Sequence, residues 1–232
     1  MSYTVFIVLK NKILMKGKYM SSRKRFIRLS LTLIMALLLI VQTGCLSVDA
    51  ENKDQIELSS DGKLHQTIVD DADASVTGEE LENYINDNIK EYQGSAGNVA
   101  LERCKVRDGK VNIILNYDSA AAYAAFNNVI CFNGTLKEAY DAGYDLNRTF
   151  YSLNKVEIPY FALPAQYPDS KVLILEENTM VKLPGELLAY SDGVTVTDDG
   201  HIQITQAADD TIPEELQVTT ALPVFIIYRA SK

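Results

Sequence analysis

In the stretch DADASVTGEELE, the residues Asp71, Asp73, Ser75, Thr77, Glu79 and Glu82 recur at the spacing with which a calcium-binding loop presents oxygen ligands. The stretch departs from such a loop where its geometry is most demanding. Val76 stands at the sharp turn that needs glycine, and Gly78 takes the place of an apolar residue. The same residues suit the start of a helix, because acids favour the positive end of its dipole and Thr77 with Glu80 forms a capping box. The expectation is a capped helix, with calcium as the weaker alternative, and neither a metal site nor a cofactor is assigned.

Other reactive side chains are sparse or dispersed. His65 and His201 are the only histidines, and neither lies in an HExxH or phosphate-loop pattern. Cys104 and Cys131 lie too far from each other and from the histidines for zinc-ligand spacing. They fit either one disulfide or two small core side chains. Among 31 Asp and Glu residues any pair could serve hydrolysis of a glycosidic bond, and the sequence singles out none. The segment VEIPYFALPAQYP sets Tyr160, Phe161 and Tyr167 among three prolines. A stiff aromatic loop of this kind is a candidate platform for a peptide or glycan, or else a connector that packs between sheet and helix.

These residues need a scaffold, and the periodicity supplies an α+β one. A first strand is expected over 62–69. A helix follows over TGEELENYINDNIKEYQG, where Leu81, Tyr84, Ile85, Ile89 and Tyr92 recur at helical spacing and Gly94 gives a stop. NVALERCKV and KVNIILNY flank Asp108-Gly109 and predict a hairpin with Val111, Ile113, Leu115 and Tyr117 on one face. Asp118-Ser119 opens an alanine-rich helix expected to run to Asn133-Gly134, and a shorter helix follows over LKEAYDAG. The first half thus reads β-α-β-β-α, a sheet with helices on one face. From Lys155 onward, short strands alternate with the turn pairs Asn178-Thr179, Pro184-Gly185, Asp192-Gly193 and Asp199-Gly200, a β-meander-rich half. Pro223 suggests an edge or a bulge in the last strand. The expected division is an α+β part over 61–154 and a β-rich part over 155–232, within one domain or as two.

Ahead of this domain, Arg23, Lys24, Arg25 and Arg28 precede an uncharged run from Leu29 to Val41, which is too short for a membrane-spanning helix and has the order of a signal peptide. Thr43 and Gly44 then lead into Cys45. This ending resembles the lipobox of bacterial lipoproteins, although Gln42 stands where that family usually has leucine. The resemblance covers about a fifth of the chain, residues 1–44 and Cys45. It implies cleavage ahead of Cys45, acylation of its thiol, and a bacterial source with placement on the outer face of the cytoplasmic membrane. Two acyl chains on one residue meet the requirement for stable anchoring. Met20 begins a compact version of the signal and is the expected start of translation. Residues 45–60, polar and without aromatics, read as a flexible tether.

The leader holds eight of the 22 basic residues and none of the acidic ones, so its removal takes the formal charge from −9 to −17. Such a chain repels phosphate backbones, which argues against nucleic acid and against electrostatic docking on anionic headgroups. The functional expectation is a lipid-anchored envelope protein, non-enzymatic, whose partner is the membrane through its anchor together with an envelope protein, peptide or glycan. The alternative is an exported enzyme acting on wall polymer or peptide through carboxylates.

Overall fold

The computed structural model describes residues 53–72, 75–197, 201–205 and 222–231. The leader and Cys45 lie outside them. The domain is α+β with a strand-rich C-terminal half, built on one mixed sheet and one antiparallel sheet.

The first surprise is β1, Gln55–Leu58. The tether expected over 45–60 ends earlier, because Ile56 and Leu58 alternate with polar residues and are both buried. β1 pairs antiparallel with β2, Leu64–Asp71, on one side and parallel with β9, Met180–Lys182, on the other. β2 continues into the predicted hairpin of β3, Val99–Arg107, and β4, Lys110–Tyr117. Its turn has Asp108 at φ 52° and Gly109 at φ 74°, the left-handed pair that a two-residue hairpin loop needs. Val111, Ile113, Leu115 and Tyr117 are all buried on one face. β11, Val194–Val196, and β12, Ile202–Ile204, complete a seven-stranded sheet in the order β11-β12-β9-β1-β2-β4-β3.

Helix α1, Gly78–Tyr92, forms where the capping box predicts. Thr77 Oγ1 accepts from the Glu80 amide and the Glu80 carboxylate accepts from the Thr77 amide, while Gln93 and Gly94 end it with positive φ. It buries Leu81 and Ile85 and packs on β3. Helix α2, Ala120–Asn127, starts at the Ser119 cap but is shorter than its alanine-rich pattern suggests. Asn128 takes a left-handed φ of 55° and closes the helix, and Cys131–Thr135 then forms strand β5 by pairing with Lys171–Leu175. Rings join these layers: Tyr92 of α1 meets Phe126 of α2 edge-on, and Phe126 and Tyr123 of α2 both meet Tyr117 of β4.

The second sheet runs β5-β8-β13-β10-β6-β7. Its further members are β6, Thr149–Ser152; β7, Glu157–Pro159; β8, Lys171–Leu175; β10, Gly185–Ser191; and β13, Val224–Ala230. Helix α3, Leu136–Asp141, opens with its own Thr135–Glu138 capping box. With the short α4, Leu163–Gln166, it covers a core of Phe150, Val172, Ile174, Phe225 and Ile227. β10 and β13 approach so closely at Gly185 that a Cβ there would lie 2.0 Å from the Arg229 carbonyl oxygen, so only glycine fits.

The late strands arise close to where the turns predict, but they do not pair as a simple meander. β8, β10 and β13 belong to the second sheet and β9, β11 and β12 to the first. Pro223 stands just before β13, which is a central strand and not an edge. The parts before and after residue 154 share the first sheet, since β9 pairs with β1.

Candidate functional site

The calcium-like stretch is spent on local structure. Asp71 ends β2 and bonds Lys110 across the ladder at 2.5 Å. Thr77 and Glu80 satisfy each other and the helix start, and Glu79 and Glu82 are exposed on α1. Ser75 lies in the turn before the helix, and Asp73 lies outside the described residues. Among the described residues, no three His, Cys, Asp or Glu side chains converge as a metal ion would require. His65 sits on the polar face of the first sheet, its Nδ1 2.6 Å from Asn116 Oδ1 and 3.7 Å from Glu102. His201 precedes β12, in a separate part of that sheet.

Cys104 and Cys131 are free thiols in different sheets, so the disulfide alternative is set aside. Burial and then the nearby Glu82 push the Cys104 thiol up to about 11, and burial followed by Glu177 pushes Cys131 higher still. Neither thiol is a poised nucleophile, because the thiolate is the reactive form.

The predicted aromatic platform divides. Tyr167 turns toward the core of the second sheet and its hydroxyl accepts from Gln166 at 3.1 Å. Tyr160 and Phe161 stay outside, 41% and 72% exposed, with their rings edge-on at 5.8 Å. They follow β7, the outermost strand of that sheet, in a single 3-10 turn. Prolines at 159 and 164 stiffen the segment on both sides.

The most concentrated polar chemistry was not visible as a motif. Gln66 of β2, Tyr117 of β4, Tyr123 and Asn127 of α2, and Glu177, just after β8, are all buried. They form one hydrogen-bonded relay. Asn127 Nδ2 donates to Tyr117 Oη at 3.2 Å, Tyr117 Oη to Gln66 Oε1 at 2.7 Å, and Gln66 Nε2 to Tyr123 Oη at 3.2 Å. Tyr123 Oη then donates to the Glu177 carboxylate. Each hydroxyl in the relay thus accepts one bond and donates the next, and the Gln66 amide uses its oxygen toward Tyr117 and its nitrogen toward Tyr123. Burial, followed by the Glu177 charge, holds the Tyr123 hydroxyl far above its ordinary range. For Tyr117, burial outweighs an opposing bond from Asn127. Both tyrosines therefore remain donors.

The signal for this relay lies in broken patterns. Gln66 takes an inward strand position between Leu64 and Ile68, and Glu177 is the second residue after the apolar run VLIL. Each is unremarkable alone in an acidic chain, and only the fold joins them. No family model, curated protein or solved structure matches this chain.

Proposed function

We propose that this chain is a lipid-anchored protein of the bacterial cell envelope, held at the outer face of the cytoplasmic membrane through Cys45, where it binds or supports another envelope component without catalysing a reaction. The order of basic cluster, short apolar run and Gly44-Cys45 supports the anchor. The observation that carries the non-catalytic part is the enclosure of Glu177. This carboxylate is only 5% exposed and receives the Tyr123 hydroxyl, an arrangement that suits a structural role better than a catalytic one. Its place in the relay is to join the second sheet to the first through α2.

The test combines intact mass with membrane partitioning in a bacterial host, for the natural chain and for Cys45→Ala. The expected product begins at Cys45, carries diacylglyceryl mass and sediments with membranes, while the alanine variant is released. A soluble natural chain cleaved elsewhere would overturn the anchor. Turnover of cell-wall material that is abolished in a folded Glu177→Gln variant would overturn the non-catalytic reading.

A further inference from the structure

The strand order determines which end of the domain the anchor enters. β9, β10 and β11 pass from the first sheet to the second and back, with only Leu183-Pro184 and Asp192-Gly193 between them. Two-residue links hold strand ends together, so the start of β9, the end of β10 and the start of β11 share one end of the domain. β1 lies parallel to β9 with Gln55 opposite Met180, so the chain coming from Cys45 enters at that end. The span from Cys45 to Asp54 is nine residues and reaches at most about 30 Å.

The exposed aromatics lie at the same end. Phe150 pairs with Ser191 near the end of β10, and Thr149, one residue further out, pairs with Pro159, so β7 delivers Tyr160 and Phe161 beyond that edge. β13 begins there too: the Phe225 amide donates to Ser191 Oγ at 2.9 Å, and Arg148 reaches the Pro223 carbonyl at 3.0 Å. Leu222, 77% exposed, therefore shares this end. Leu153 and Val156, also exposed, lie in the β6–β7 turn at the opposite end of the strand.

We propose that Tyr160, Phe161 and Leu222 form a membrane-facing tip that dips into the interfacial layer of the bilayer to which Cys45 is attached. The proposal rests on the lipid-anchor reading. Aromatic side chains suit this layer because an apolar ring sits beside polar headgroups. The contact need not be strong, since a short tether raises the effective concentration of the tip at the surface to the millimolar range. Asp54 and Asp192 at this end, and the acidic chain as a whole, disfavour anionic lipid, so insertion is deepest in neutral bilayers.

The chain has no tryptophan, so Phe161→Trp and Val156→Trp each create a single reporter, one at the tip and one at the far end of β7. Acylated protein is placed in phosphatidylcholine vesicles, with and without an equal part of phosphatidylglycerol, and with a nitroxide-labelled lipid as quencher. The expected result is a blue-shifted emission at 161, largely lost to the quencher and less so with phosphatidylglycerol, against unshifted and unquenched emission at 156. Equal behaviour of the two reporters overturns the proposal. So does a blue shift at 161 without lipid quenching, which would mean that protein covers the tip. Should the mass measurement show no acylation, the anchor reading fails by itself. The same reporters are then titrated as soluble protein with phosphatidylcholine vesicles, where selective quenching at 161 keeps the tip and its absence removes it.

Discussion

The buried relay around Glu177 and the exposed tip at Phe161 are opposite exceptions to the ordinary partition of side chains. One encloses a carboxylate, an amide pair and two hydroxyls, and the other leaves a phenyl ring in solvent. The relay is tolerable because most of its polar atoms are paired with one another, Asn127 Oδ1 being an exception among the described residues, and a group left unpaired there costs about 1–3 kcal/mol. The ring at the tip meets Tyr160 edge-on and is otherwise 72% exposed. Interior polarity here serves the joining of two sheets, whereas exterior apolarity has no internal use.

This contrast is breakable, and the strongest break is Tyr123→Ala. Removing a fully buried aromatic should lower the unfolding free energy by about 3–5 kcal/mol, read as a lower urea midpoint at unchanged slope. Thiol reactivity gives the next largest effect. At pH 8 Cys104 should react with an aromatic disulfide roughly a hundredfold more slowly than an open thiol, rising about tenfold per pH unit toward about 11, while Cys131 stays silent until unfolding. Tyr123→Phe keeps the ring but removes the donor to Glu177, with an expected loss of about 1–3 kcal/mol. Thr77→Ala, which removes one half of the α1 capping box, should cost about 1 kcal/mol. Phe161→Ala should change stability by less than about 0.5 kcal/mol. A large loss at Phe161, or none at Tyr123, would erase the distinction between the two regions.

Local elements were legible because local chemistry decides them. The Thr77–Glu80 cap, the Asp108-Gly109 turn and the alternation in β4 each carry their signal within a few residues. β1 was hidden by its polar neighbours, since only two of its four residues face the core and its partner β9 lies in the other half of the chain. β5 was absorbed into an alanine-rich helix that Asn128 ends early. The relay was illegible for a further reason: its five members come from three strand neighbourhoods and one helix, and no spacing rule connects Gln66 to Glu177. Tyr160 and Phe161 could be picked out by residue type, but the inward turn of Tyr167 depends on the packing of α4 and required the fold.

The placement of β13 at the centre of the second sheet has a consequence for the birth of the molecule. Val224–Ala230 bridges β8 and β10, yet among the described strands it is the last in chain order and so the last to be synthesised. Until it arrives, one sheet has a gap in its middle and β8 and β10 lack their common neighbour. β1, the first strand of the domain to emerge, must likewise wait for β9. Closure of both sheets therefore waits on strands that come late in the chain.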